Sequence, residues 1–326
     1  MRALTLVLPF SLAPPEHAKD LLAQLRAPAM AKLLAKAKLN SKKTFSGLDP
    51  CLPHERWLSV HSSDTSPAMA AALMSELGLN NETGYWFVVQ PVHLHVARDH
   101  LVLTDYRKLE LDVAQSRVLF DAALPLFEEL NHRLLFGNEH YWFMQANSWT
   151  DLRTSTPDAA CGHNIDAWLP TGASARDWRR LQNEVQMLWH QHPLNDTREQ
   201  TYQPRINGLW LWGGCTMGES TWGLDAMASH LIHPAIPIDL GSDKRAIQLL
   251  DTLISPALAG DWSSWMQSMS TIDQQTLAPA LSALENGTLD VLNVILSDST
   301  RMSQWTLRPS SLRKFWAKPS LSRLAS

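Results

Sequence analysis

The side chains able to attack, ligate or grip fall in a few places. Ser62-Ser63-Asp64-Thr65 stands just before a helical pattern that starts near residue 67. A serine or aspartate there serves as an N-cap; the sharper reading makes Ser63 a nucleophile, with helix amides supporting an anionic phosphate. The stretch from Glu184 to Arg198 is the densest polar cluster, and it leads into Ile206-Asn207-Gly208-Leu209-Trp210-Leu211-Trp212-Gly213-Gly214. A helix ends at His192-Pro193, a polar loop follows, and a strand delivers a glycine turn. Asn195, Arg198 and Asn207 could grip a phosphate or carboxylate there; the plainer alternative is a polar network buttressing the loop. His93-Leu94-His95 sets two rings on one face of a strand, a spacing found in metal sites, but no third ligand is nearby. His190/His192 and His230/His233 sit at helix ends, where capping accounts for them. Residues 301–326 hold six Arg/Lys and no Asp/Glu. A basic terminal helix with Phe315 and Trp316 could contact nucleic acid or acidic lipid, or pack its aromatics on an acidic body.

Elements must position these groups, and composition bounds what they can be. The 326 residues, 45% hydrophobic and 18% charged, supply one large α/β unit or two packed domains and carry no signature of disorder. A net charge of −4 gives no global drive toward nucleic acid or membranes. No apolar run reaches the ~18 residues of a spanning helix. Cys51, Cys161 and Cys215 are far apart with no CxxC. That argues against a disulfide scaffold or thiolate zinc site and suits the reducing cytoplasm.

Residues 2–8 read as a buried first strand rather than a signal peptide, 15–26 and 28–38 as helices, and 40–67 as loop with a short strand at 57–60. A short helix over 67–78 precedes β runs at 85–90, 92–96 and 101–104. Then come a helix over 113–135 kinked near Pro125, a strand at 141–146, loop over 150–172, a helix over 174–190 and a strand over 206–212. The last third alternates: helix 222–232, a strand near 236–240, helices near 243–254, 261–269 and 273–286, strands 289–296 and 302–307, and a helix over 310–324. The pattern predicts an α/β fold, a mostly parallel sheet flanked by helices, with an inserted α+β region. The core is drawn as 1–82 and 206–326, the insertion as 83–205.

The run from Glu184 to Gly214 resembles a bacterial family of regulatory proteins of RpfE type, whose pattern is E-x-Q-M-L, H-P-x-N-x-x-R and N-x-L-W-x-W-G-G. Gln90-Pro91-Val92-His93-Leu94, Gly260-Asp261-Trp262 and Lys314-Phe315-Trp316 agree with it. That family is in turn similar to archaeal-type cofactor-independent phosphoglycerate mutase, of the alkaline phosphatase superfamily. The resemblance matches His192, Pro193, Asn195 and Arg198 to the mutase H-P-x-N-x-x-R, and Asn207 to the strand that follows. It sets Ser63 on the G-S-D-x-A nucleophile and, through Asp105-Tyr106-Arg107, places Arg107 among ligand-binding residues.

The departures point away from catalysis. The superfamily uses two divalent ions, with a ligand Asp closing the first strand, yet here Leu8 is followed by Pro9-Phe10. Where the family has T-x-D-H-S-T, Leu296-Ser297-Asp298-Ser299-Thr300 keeps the Asp without the His. The resemblance thus implies a catalytically degenerate, cytoplasmic binding or regulatory protein for a phosphorylated metabolite or a partner protein, with no cofactor, no membrane contact and no nucleic acid. The alternative is an active phosphomutase or phosphatase using Ser63 with manganese or zinc held by Asp64, Asp239 and Asp298. A third reading is a nucleic-acid-associated regulator using the basic tail. Oligomeric state stays open.

Overall fold

Two sheets carry the chain, and the burial pattern of their strands explains both. The structure, a computed structural model, describes residues 2–59, 67–79, 82–218, 224–232, 245–314 and 316–325. In chain order the strands are β1 (Ala3–Leu8), β2 (Lys38–Thr44), β3 (Tyr85–Val92), β4 (Leu94–Ala97), β5 (His100–Leu103) and β6 (Arg133–Phe136). They continue with β7 (Trp142–Gln145), β8 (Gly208–Thr216), β9 (Arg245–Leu249), β10 (Val291–Ser297) and β11 (Arg301–Leu307). The helices are α1 (Ala18–Gln24), α2 (Pro28–Lys36), α3 (Pro53–Leu58), α4 (Met69–Glu76), α5 (Val113–Glu129), α6 (Pro157–Ala160) and α7 (Ala175–His190). After them come α8 (Pro193–Gln200), α9 (Leu224–Ile232), α10 (Ile254–Leu258), α11 (Trp262–Ile272), α12 (Ala278–Glu285) and α13 (Pro309–Leu312).

The fold is α/β, with helices flanking a mixed five-stranded sheet in the order β2-β11-β10-β1-β9. Its inner strands β9, β1 and β10 are parallel, and β11 and β2 run antiparallel at one edge. β1 and β10 are almost continuously apolar and buried, as strands covered on both faces must be. The second sheet, β6-β7-β3-β8, is antiparallel, and β4-β5 forms a separate ribbon.

The chain divides into two compact units, Met1–Gly47 with Leu52–Trp57 and His233–Ser326, and Leu48–Cys51 with Leu58–Ile232. These boundaries differ from an insertion at 83–205. Residues 206–232 fall in the second unit because β8 is hydrogen-bonded along β3, and α4 packs on both strands.

In the first unit, α2, α11 and α12 lay Met30, Leu33, Leu34, Trp265, Met269, Leu281 and Leu284 against Leu6, Leu8, Leu292 and Leu296 of the sheet. Asp273, in a π turn between α11 and α12, accepts from Ala29 N at 3.1 Å and Met30 N at 2.7 Å. It thereby caps α2, whose own N-cap, Ala27, offers no side chain. In the second unit, α7 buries Trp178, Leu181, Val185 and Trp189, a helical stripe. Trp142 meets Phe120 and Trp189 edge-on, with ring centroids at 5.2 and 5.9 Å. Each such pair contributes roughly 0.5–1.5 kcal/mol beyond its burial.

Several elements differ from the sequence reading. Residues 38–44 form a strand and 53–58 a helix within the expected loop. α5 ends at Glu129 and Arg133–Phe136 turns into a strand, because Asn131 takes a left-handed φ of 56°. Residues 245–249 are a strand paired with β1 rather than a helix. The terminal helix over 310–324 is replaced by the four residues of α13 and one 3₁₀ turn at Ser322–Leu324. Pro319 opposes a continuous helix there. The strand expected near 236–240 and Phe315 lie outside the described residues. No described helix is long and apolar enough to cross a membrane.

Candidate functional site

In open α/β sheets ligands bind beyond the carboxyl ends of the parallel strands. In the first unit that edge follows β1 and β10. After β1 come Pro9, Phe10 and Ser11. Phe10 has a left-handed φ of 54°, and its carbonyl accepts from the Trp265 indole at 2.7 Å. The buried Ser11 hydroxyl turns back to donate to the Leu8 carbonyl at 2.7 Å. Leu12 N donates to the Ser297 carbonyl, and the Ser297 hydroxyl is buried without a partner.

Asp298, right after β10, is fully engaged. One carboxylate oxygen accepts from the Thr300 and Arg301 amides at 2.8 and 2.6 Å, and the other from Arg301 Nε at 2.6 Å. Arg301 also donates to the carbonyls of Ala13 and Ala325. Asp298 is therefore the hub of the β10–β11 turn, with its charge neutralised. A divalent ion needs open oxygen or imidazole lone pairs. The residues described after β1 and β10 do not fit one, and among the described residues no group of three or more His, Cys, Asp or Glu could hold a metal. Asp64 and Asp239, the other acidic candidates, and Ser63 lie outside the described residues.

The second locus is the polar run in the second unit. Residues 193–200, expected as loop, form α8, with Pro193 at its first turn and His192 as N-cap accepting from Leu194 N at 3.2 Å. Helical spacing turns Asn195 and Arg198 inward together. Asn195 is fully buried; its amide donates to the Trp189 and Ile206 carbonyls and its oxygen accepts from Ile206 N. Arg198 is 1% exposed and donates to the carbonyls of Pro204 and Leu109 and to Gln115 Oε1. Burial lowers its pKa, against the pull of Asp112 and Glu110. Asn207 brackets Leu94, accepting from its amide at 2.7 Å and donating to its carbonyl at 2.9 Å. The expected anion grip is thus a buttress that ties α8, β8 and the start of β4 together. Its hydrogen-bonding atoms turn to the chain's own backbone and to Gln115. His93 belongs to the same network, its Nδ1 donating to the Arg205 carbonyl at 2.7 Å, with burial lowering its pKa.

Arg107 is likewise held by protein. Its guanidinium donates to both oxygens of Asp158, at 2.9 and 2.6 Å, and to Asp105 Oδ1 at 3.0 Å, and lies over the Tyr106 ring. Burial opposes its charge, but Asp158, Tyr106 and Asp105 outweigh it and raise its pKa. Burial, helped by Asp105 and Asp158, pushes the nearby Cys161 thiol up to about 12. Asp158 follows a Thr156-Pro157 helix start, which was the available signal for it.

Sequence reasoning took Gln90 only as part of a motif and gave it no role of its own, although it is the polar residue inside the apolar strand Tyr85–Val92. Both of its amide atoms are buried without partners, as are Asp105 Oδ2 and Trp212 Nε1. The register sets Gln90 opposite Trp210 and Val88 opposite Trp212, so Gln90 and Trp212 are diagonal neighbours on one face. Trp210, by contrast, donates to the Ser155 carbonyl at 2.8 Å. Both indoles fill core.

Fold and site together define an α/β protein of two units in which the described polar clusters are largely internal. Comparison agrees at the level of fold: the chain is similar to the PH0037 protein from Pyrococcus horikoshii, with a TM-score of 0.53 and 13% identity over 99% of this chain and 91% of that one. A cofactor-independent phosphoglycerate mutase from Thermoplasma acidophilum DSM 1728 superposes with a TM-score of 0.43 and 15% identity over 100% of this chain and 94% of that one. No family model matches the chain, nor does any curated protein. The likeness to RpfE-type proteins therefore rests on its motifs alone.

Proposed function

We propose that this chain is a catalytically degenerate phosphoglycerate-mutase-like protein that acts by binding a phosphorylated metabolite or a partner protein, in a regulatory role. The observation that carries the reading is the state of Asp298. It is the acid that the motif comparison sets in a metal-binding position, and here it accepts two amides and the Arg301 guanidinium. Pro9 and Phe10, after β1, add a ring without a donor N–H and an apolar side chain where a ligand carboxylate would stand. Stripping Arg301 from Asp298 to free it for an ion would cost roughly the 1.5–3 kcal/mol of a charged hydrogen bond before any gain from coordination.

The test is an assay of phosphoglycerate mutase and general phosphatase activity with manganese or zinc supplied, alongside metal analysis of the purified protein. No turnover above that of Ser63→Ala is expected. Turnover lost on Ser63→Ala, together with tightly held metal, would establish the active enzyme instead.

A further inference from the structure

We infer that the cavity on the β2–β11 face of the first unit is a binding site for an organic phosphate carrying a planar ring, of the size of a nucleoside monophosphate. The cavity has a volume of about 360 Å³ and is lined by Ala37, Leu39, Lys42, Ser303, Trp305 and Arg323. That volume falls in the range of small-molecule sites. The inference holds whether or not mutase chemistry survives, since the cavity shares no residue with the edge after β1 and β10.

The sequence builds this site with a bulge. β2 is an edge strand, and lysines on an edge ordinarily discourage pairing with other chains. That accounts for Lys38 and Lys43, which pair with Thr306 and Met302 and so face away from Trp305. Lys42 is different. Leu39 pairs with Trp305, Ser41 with Gln304 and Lys42 with Ser303, which leaves Asn40 as the extra residue. Asn40 turns to donate to Thr306 Oγ1 at 2.7 Å. The insertion brings Leu39 and Lys42, three residues apart, onto the face that carries Ser303 and Trp305, a re-aiming that β-bulges characteristically perform.

The lining chemistry is asymmetric. Lys42 brings a cation to the lining, and Arg323 a second whose guanidinium the protein already engages. Arg323 is fixed, donating to the Leu34 carbonyl at 2.6 Å, with its guanidinium 5.1 Å from the Trp305 ring centroid. Ser303, buried, accepts from the Trp305 indole at 2.9 Å, so its own hydroxyl hydrogen is available. Lys42 is exposed and has no hydrogen-bonding or ionic partner among the described residues. Leu39 leaves 44% of its surface in water beside the tryptophan, an apolar wall next to the charge. A phosphate fits the Lys42 end and a flat ring fits the Leu39 wall, and neither half alone uses both.

Calorimetric titration with adenosine 5′-monophosphate, adenosine and inorganic phosphate tests this on wild type, Lys42→Ala and Leu39→Asp. Both positions are exposed, so the variants should melt like wild type. The nucleotide should bind at least ~10-fold tighter than either half, and each variant should weaken it by ~10-fold or more. Absence of nucleotide binding up to about 10 mM, a 1 M-standard free energy near −2.7 kcal/mol, would overturn the inference. So would binding no tighter than that of phosphate, or binding that both variants leave unchanged.

Discussion

Arg198 shows how a residue read for its chemistry can be structural. A guanidinium suits phosphate, and the H-P-x-N-x-x-R spacing invited that use. Pro193, however, starts a helix, and one helical turn later Arg198 points into the unit. Arg198→Ala would strand the Pro204 and Leu109 carbonyls and Gln115, so a loss of roughly 2–4 kcal/mol is expected in urea unfolding. Unchanged stability with loss of phosphate binding would return Arg198 to the role of ligand grip. Gln90 predicts the opposite sign. Its unpartnered amide is a desolvation cost, so Gln90→Met should leave stability equal or raise it by about 1 kcal/mol. A loss above ~2 kcal/mol in the same experiment would mean that the amide is satisfied, as by internal water. Cys161 is held protonated by burial, with a pKa of about 12. In native protein at pH 8 it should therefore resist iodoacetamide until denaturant is added, as mapped by mass spectrometry. At this scale the sequence told which residues were polar and dense, but not which way they faced. Facing depends on tertiary partners such as Gln115 and Leu109, far away in the chain.

Elements were more legible where one periodicity dominated. β1, α2, α7 and β10 lie close to their expected spans because their apolar patterns are strong. The failures share a cause. β2, with the sequence Lys-Leu-Asn-Ser-Lys-Lys-Thr, has no strand-like pattern, and it forms because β11 offers an edge for it to complete. β9 likewise owes its strand to β1. The tail, expected as an amphipathic helix, is anchored by single contacts: Leu324 is fully buried, Lys314 donates to the Lys36 carbonyl and Arg323 to that of Leu34, while Trp316 is 69% exposed. Lys314 and Arg323 thus serve the first unit's own backbone. Leu324→Ala should cost about 2–4 kcal/mol in denaturant unfolding, as deletion of a buried leucine side chain does. Trp316→Ala should cost under ~0.5 kcal/mol, the surface norm. Equal effects would mean that the tail is held by a helical face after all.

For the whole molecule, the α/β class was readable from strand–helix alternation, but the partition into units was not, because β8 looks like a core strand and pairs with β3. That partition has a consequence under acid. His93, His132 and His140 all belong to the second unit, and burial lowers the pKa of each below the ordinary 6.5. A histidine that binds its proton more weakly when folded than when unfolded makes the unfolded state the better proton acceptor. Its contribution to stability is complete above pH 6.5 and is lost as pH falls from there through the folded-state values. In the first unit, burial moves Asp273 the other way, raising its pKa. Its folded carboxyl takes up a proton more readily than the unfolded one, so that group opposes acid unfolding as pH falls toward its folded pKa. Acidification from pH 7.5 to 5.5 should therefore open the second unit first. Hydrogen exchange should quicken over residues 85–145 while the β1 and β10 amides stay protected. His132 sits edge-on to Trp149 at 4.2 Å, its Nδ1 donating to the Gln145 carbonyl. His132→Gln replaces a titrating donor with a neutral one and should flatten part of the pH dependence. A unit that opens equally fast at both pH values, or a variant whose pH profile matches wild type, would show that these histidines keep the same proton affinity folded and unfolded.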